Sequence, residues 1–539
     1  MGRTYSRREL LRLAAAGAGA AWLAACGGNG SAAEDDDPGA PALLLRPELA
    51  NGSPAGRLRL GILRETNFLT QPLNDLEQQL VHARLLAVDP RAGTLHGDLA
   101  TTLEVVDPLE LRFELRPNVF FHPDDESLAA PVTAEHVRRS LEAQQAVEGS
   151  LFAAAVSAVE TPDARTVVLR LTGPFAFLFE LLASPDASIR GDTNYSAFRS
   201  KVGAGPFVPS GQDSTGHVLL ANPRYHQPSY PRLQQINALS FEDARALDEA
   251  FIGSRTDVRH HARPADAVAA KRERPDILQT SRPARALIGL GLSLLPAKGG
   301  IATHYVEAFQ DERVRRAVSL ALDRPALAAL DEGFVASPTG AGFGADSLPY
   351  AELNAHPLYT PNPAEAARLL DAAGHPRLSF RIDTPALDDI RAGASLVGAQ
   401  LREAGFDALV RYVDSADWEQ LFLAGDFEAA LFELRTLSTP GVGLRLHTTG
   451  GLDGRFSLWG YSNPVVDAAV SRALSQLLPT DRGAAIRESQ RILLEQVPAM
   501  FPLVTPAEVA SVGPRVSGYE FDAYEFNASW LAASWERVT

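Results

Sequence analysis

One cysteine in 539 residues, Cys26, restricts how this chain holds itself together. A single thiol closes no intramolecular disulfide and builds no thiolate metal site of the usual two-to-four-ligand kind. Stability therefore has to come from apolar burial. With 45% hydrophobic, 22% charged and 7% aromatic residues, the composition is that of a folded protein with a large core. At roughly 100–200 residues per domain, the length allows about three structural units, which discontinuous stretches of chain can build as lobes. The formal net charge is -16 and the arginines are scattered, so the sequence lacks the clustered basic groove that a nucleic acid requires.

The cysteine follows a short uncharged run, Leu13 to Ala25, which itself follows Arg7-Arg8 in "SRRELLR". As a helix that run spans about 20 Å at ~1.5 Å per residue, short of the ~30 Å hydrocarbon core, so it reads as an export signal rather than a membrane span. The arginine pair resembles a twin-arginine signal, with Leu10 where Phe is usual and Arg12 where Lys is usual. Leu23-Ala24-Ala25-Cys26-Gly27 resembles a bacterial lipobox. In such signals small residues admit the signal peptidase and the cysteine becomes the lipidated first residue of the mature protein. Residues 1–25 are thus expected to be an export signal. Residues 26–55, opening with "GGNGSAAEDDDPGAP", are expected to be a flexible tether, since they have no apolar periodicity and are rich in Gly, Ser, Asp and Pro.

From about Leu58 the pattern becomes structured, with strands and helices interleaved. "RLRLGIL" reads as a first strand. "LELRFEL" alternates Leu109, Leu111, Phe113 and Leu115 on one face with Glu110, Arg112 and Glu114 on the other, a half-buried antiparallel strand that "RTVVLRL" is placed to pair with. Between them "PVTAEHVRRSLEA" starts a helix at Thr133. In "FQDERVRRAVSLALDRPAL", Asp311 caps a helix whose buried face is Val314, Ala317, Val318 and Ala321, which leaves its arginines to solvent or a neighbouring lobe. Asn362-Pro363 and Asn463-Pro464 place an Asn cap and a first-turn Pro ahead of two further helices. "DALVRYV" and "EAALFEL" suit strands, and no fixed-period repeat is visible.

Catalytic signatures do not stand out. The sequence has no H-E-x-x-H, no G-x-x-x-x-G-K-[ST] and no G-x-S-x-G. The Gly-rich "PTGAGFGADS" reads as a loop, "RHHARPADA" with His260-His261 as a polar surface segment, and Asp388-Asp389 as loop sequence. No catalytic residue, metal site or cofactor is assigned, and the weight moves toward binding. Two readings of other classes stay open: a secreted hydrolase on an unrelated α/β fold, and a sensory or scaffold lipoprotein.

The order of segments resembles the extracytoplasmic solute-binding proteins of family 5, the dipeptide, oligopeptide and nickel binders that feed ABC importers. "GDLATTLEVVDPLELRFELRPNVFFHP" is similar to the family signature, "PVTAEHVRRSLE" to its "T-A-x-D-V" helix, and "VGAGPFVPS" with "VLLANPRYH" to its return strand. "QDERVRRAVSLALDRPAL" matches the helix ending in Asp323-Arg324, "YTPNPAEAARLLDAAG" the helix after it, and "GYSNPVVDAAVSRA" the "GY-x-N-p-x-v-D" segment. The resemblance covers roughly Leu58 to Pro502. It implies an α/β, two-lobed clamshell of the type II-like periplasmic-binding-protein class, in the large peptide-binder variant with an extra subdomain in lobe one. Subdomain Ia takes 56–82, 201–285 and 500–539, subdomain Ib 83–200, and lobe two 286–499. It further implies a monomer without catalysis or cofactor, held at a membrane by its lipid anchor in the periplasm or at the cell surface. Such a protein captures a small solute or short peptide and delivers it to ABC importer permease subunits.

Two departures bear on the ligand. Peptide-binding members carry a Trp and then an Asp after the "gdfD" turn, whereas "GDFEAALFELRTLSTPG" offers Phe432, Glu433 and Arg435. Arg435 is a candidate for a ligand carboxylate or phosphate and Glu433 for a ligand amine. Trp459, Tyr461 and Trp418 are candidate aromatic walls, with Asn67 after the first strand. The aspartate of "T-A-x-D-V" is replaced by His136, to which no function is attached.

Overall fold

The computed structural model describes residues 54–63, 79–89, 94–122, 130–147, 150–191, 202–213, 216–261, 263–284, 286–295, 306–339, 346–435, 440–451, 457–477, 479–519 and 532–537. Cys26, Asn67 and residues 26–53 of the expected tether lie outside them. The chain divides into two compact units. One comprises residues up to His260, Ala267–Thr280 and Ala510 onward; the other comprises His261–Asp266 and Ser281–Val509.

In the first unit, period-two sequences become sheet. Strand β1 (Arg57–Leu63) belongs to a seven-stranded mixed sheet, while β2 (Ala100–Asp107), β3 (Glu110–Leu115), β4 (Val156–Glu160) and β5 (Thr166–Leu171) form an antiparallel sheet in the order β2-β3-β5-β4. Leu111, Phe113 and Leu115 of β3 are buried, Arg112 and Glu114 face out, and Glu110 lies opposite Arg170 of β5 as the alternation predicts. Leu109, expected on the buried face, is exposed. It sits in the turn before β3, where the Asp107 carboxylate accepts its N–H at 2.7 Å.

Helix α1 (Ala134–Gln145) starts at Thr133 as expected, and His136 takes a part that the sequence did not suggest. Its Nδ1 accepts from the Thr133 N–H at 3.2 Å and meets Thr133 Oγ1 at 2.8 Å, closing a capping box in which a neutral imidazole replaces the usual carboxylate. Burial and the neighbouring Arg139 hold the His136 pKa below its ordinary value.

The seven-stranded sheet is completed by β6 (Phe207–Asp213), β7 (Gly216–Ala221), β8 (Gln235–Phe241), β9 (Val258–His261), β10 (Leu278–Pro283) and the strand Ala507–Val512. β1 runs parallel to β8 along its whole length, and Leu58, Leu60, Phe207, Leu219, Ile236 and Trp535 share one core. The surface expectation for His260-His261 holds for one of the pair: the two end a strand that pairs with β1, His260 exposed and His261 buried.

The second unit is built on a six-stranded sheet. Its strands are β11 (Ala286–Leu292), β12 (Phe334–Val335), β13 (Ser379–Pro385), β14 (Asp407–Val413), β15 (Ala429–Arg435) and β16 (Met500–Thr505), in the order β12-β16-β11-β15-β13-β14. β13, β14 and β15 are parallel, and β11 runs antiparallel to β15 and β16. The surrounding helices are α2 (Glu312–Ala321), α3 (Arg324–Ala329), α4 (Pro363–Ala372), α5 (Asp388–Glu403), α6 (Ser415–Ala424), α7 (Pro440–Arg445), α8 (Pro464–Leu474) and α9 (Pro479–Glu495). Asp388-Asp389, expected in a loop, open α5.

The caps are those the sequence spells out. Asp311 accepts from Arg313 N at 2.8 Å, Asn362 from Glu365 N at 3.0 Å and Asn463 from Val465 N at 2.9 Å. Val314, Ala317, Val318 and Ala321 are buried as expected. Arg315 of α2 departs from the expectation that the arginines face outward: it is buried and donates to the carbonyls of Val497, Phe309 and Gln310 at 2.9–3.0 Å. Three main-chain acceptors compensate the desolvation of its guanidinium, so the buried stripe of α2 is wider than its apolar residues indicate. The Asp-Arg pair divides its work similarly. Asp323 caps α3 through Ala326 N at 2.9 Å, and Arg324 turns inward, 1% exposed.

Candidate functional site

Every described candidate residue lies in the second unit, and the sheet sorts them into separate places. β11 carries glycines at 289 and 291. A Cβ at Gly291 would come within 2.0 Å of the Trp459 ring, and one at Gly289 within 2.9 Å of the Phe432 ring, so these two positions are the bed on which the aromatic rings lie. Phe432 and Trp459 pack with centroids 5.1 Å apart, Phe422 lies 5.3 Å from Phe432, and Trp418 stacks on Phe422 at 5.3 Å with planes 27° apart. Trp459 is 1% exposed, and its carbonyl accepts from Leu294 N at 2.7 Å. In this structure it is a core residue rather than an open aromatic wall. Trp418, at the outer end of the stack, is half-buried.

Tyr461 is likewise enclosed, at 3% exposure. Its hydroxyl donates to Gln496 O and accepts from Asn463 Nδ2, both at 3.3 Å, and the Arg315 guanidinium stands 5.9 Å from its ring. Burial pushes its phenol pKa up. It ties the start of α8 to the residues after α9.

Glu433 and Arg435 occupy the other end of the strand. β15 pairs with β11 in continuous register, Ala429 opposite Leu292 and Arg435 opposite Ala286. Trp459 packs at the Gly291 end of β11, whereas Glu433 pairs with Ile288 and Arg435 with the first residue of that strand. Three to five residues at about 3.3 Å each separate the two levels. Side chains alternate, so Glu433 projects from the face opposite Phe432. The structure thus brings Trp418 and Trp459 together through one aromatic stack, and sets Glu433 across the sheet from it.

A polar group on the aromatic face was not foreseen. Asp383 on β13, fully buried, accepts from Arg381 Nε at 2.9 Å and from Arg411 Nε on β14 at 2.6 Å, while Glu428 accepts from Arg381 N at 2.6 Å. Register alone creates the cluster: Asp383 faces Arg411 on one side and Ala430 on the other. The signal available in the sequence was the alternation in "FRID" and "VRYV", but their 28-residue separation becomes a contact only through parallel pairing. Among the described residues, no three or more His, Cys, Asp or Glu side chains are grouped to hold a metal ion.

The residues 94–444 match the family model of bacterial extracellular solute-binding proteins, family 5, in its middle region. Protein XP55 of Streptomyces lividans is 28% identical over 416 residues, covering 72% of each chain. HbpA2 from Haemophilus parasuis shares the fold with a TM-score of 0.75 at 19% identity, over 90% of this chain and all of that one. The ABC transporter-associated periplasmic binding protein DppA from Helicobacter pylori, solved with the peptide STSA, does so with a TM-score of 0.65 at 17% identity, over 90% of this chain and 98% of that one. Interleaved caps, a pair of mixed sheets and a family match over well over half of the sequence converge, and the chain belongs to family 5 of the bacterial extracellular solute-binding proteins.

Proposed function

We propose that this protein is the solute-capturing component of an ABC importer, taking a small polar solute or short peptide outside the cytoplasm and passing it to the permease. The observation that carries the reading is the family match across residues 94–444; the peptide held by the Helicobacter pylori relative's structure supports the ligand class. Lobe one is assembled from 56–82, 201–285 and 500–539 with 83–200, and lobe two from 286–499. The chain works as a monomer, without enzymatic turnover. In the second unit, Glu433 and Arg435, at the end of β15, are the candidates for ligand contact.

Cys26 is the attachment point, and two acyl-type chains on it would give stable anchoring where one would not. Thermal-shift screening of the mature chain against peptides and small polar solutes tests the binding reading. A ligand at a hundredfold excess over Kd raises stability by about 2.7 kcal/mol. Absence of any shift, together with turnover of an ester or amide, overturns it. Cys26→Ala is expected to release the chain from the membrane fraction; unchanged retention removes the anchor from the proposal.

A further inference from the structure

The second unit contains a buried polar group centred on Arg324, apart from the residues named as candidates for ligand contact. Arg324 at the start of α3, 1% exposed, donates Nε–H to Pro502 O at 2.9 Å and its terminal amines to Leu358 O and Ser319 Oγ, each at 3.0 Å. Among the described residues no carboxylate pairs with it; its guanidinium stands 4.3 Å above the Tyr359 ring. Beside it is a cavity of about 10 Å³, also lined by His447 and Pro338, at the lower limit for one water molecule.

His447, in the turn after α7, is 1% exposed. Its Nε2–H donates to Pro338 O at 2.9 Å, and its buried Nδ1 has no hydrogen-bond partner. Tyr359 donates to Ala336 O at 3.2 Å, so two buried rings hold carbonyls of the same short segment. The backbone of α7 is seated on that segment as well, since a Cβ on Gly443 would fall 1.3 Å from Thr339 O. His447 is the cross-brace between the α7 region and residues 336–339.

We propose that His447 is an acid-operated latch: neutral, it fastens α7 and the following turn to residues 336–339, and protonation releases them. A proton on Nδ1 creates a buried N–H without an acceptor and sets a second cation in the cavity that Arg324 already lines. The charged or ionisable groups lining that cavity with His447 are Arg324 and Tyr359, and neither compensates: one is a cation, the other a neutral phenol whose pKa burial pushes up to about 12. Apart from Ser319 the remaining lining, from β16, α9 and their neighbours, is apolar. Burial correspondingly lowers the His447 pKa to about 4. The folded form therefore binds this proton less readily than the open form. The latch is fully engaged above the ordinary histidine pKa of about 6.5 and weakens as pH falls below it.

Amide hydrogen exchange of the full chain between pH 7.5 and 5.0, corrected for intrinsic rates, tests the latch. For one linked proton, the opening equilibrium of residues 440–451 is expected to rise about tenfold per pH unit below 6.5. In His447→Gln, whose amide keeps a neutral donor, that rise is expected to vanish. The same rise in the variant, or a loss of protection spread evenly over both units, overturns the proposal. Exchange at the imidazole C2 carbon, read on the unmodified protein, gives a second test independent of the variant's folding. A His447 titration well below 6.5 supports the latch, and one at or above 6.5 contradicts it.

Discussion

Two buried regions of the second unit use opposite physics. Around Gly291 and Trp459 the protein packs ring against ring with no charge in the stack; around Arg324 and His447 it buries a cation, a phenol and an imidazole that each donate to main-chain carbonyls, with His447 Nδ1 left without a partner. The first is specified by volume, because a glycine is required wherever a ring must lie on the sheet. The second is specified by hydrogen-bond count and protonation, and tolerates almost no change of charge. The same unit therefore holds one part indifferent to pH and another that responds to it.

The largest expected effect falls on the aromatic side. Trp459→Ala empties the stack and should lower stability by about 3–5 kcal/mol in chemical denaturation, equally at pH 7.5 and pH 5. A pH-dependent loss would merge the two regions. Arg324→Met removes the buried cation and the donors it gives Pro502 O and Ser319 Oγ, while Leu358 O keeps the Ser319 hydroxyl at 2.8 Å, costing about 1–3 kcal/mol at pH 7.5. It should also make protonation of His447 easier, so the decline in protection of residues 440–451 below pH 6.5 should be shallower than in the unmodified protein.

Gly291→Ala drives a methyl into the Trp459 ring and should cost about 1–3 kcal/mol. Combined with Trp459→Leu, the two changes should cost less than their sum, the coupling expected of residues in contact. The smallest effect is in the first unit. Because the folded protein keeps His136 neutral, its contribution to the α1 cap is present above pH 6.5 and lost as pH falls below it. His136→Asp should retain about 1 kcal/mol of capping at pH 5 that the histidine loses, measurable as a difference in melting temperature between the two chains.

These contrasts also mark what the sequence discloses. Helix starts were legible because Asp311, Asn362 and Asn463 act on N–H groups only two or three residues away. The strand Glu110–Leu115 was legible because period two needs no knowledge of the partner strand. Arg315 and Arg324 were misjudged or passed over because their acceptors lie up to 182 and 178 residues away. Trp459 suited both a binding wall and a core, and Gly291, 168 positions earlier, selects the core in this structure. His136 looked like a simple loss of the family's aspartate, yet its ring nitrogen accepts from the N-cap residue as a carboxylate oxygen would.

The central claim is that this chain holds a solute and returns it unchanged. Isothermal titration of the mature chain with fractionated peptides and small polar solutes, followed by mass spectrometry of the released ligand, measures both halves at once. The account predicts saturable binding of one ligand per chain and recovery of that ligand intact. Conversion of the bound molecule to product, or no saturable binding in any fraction, would contradict it.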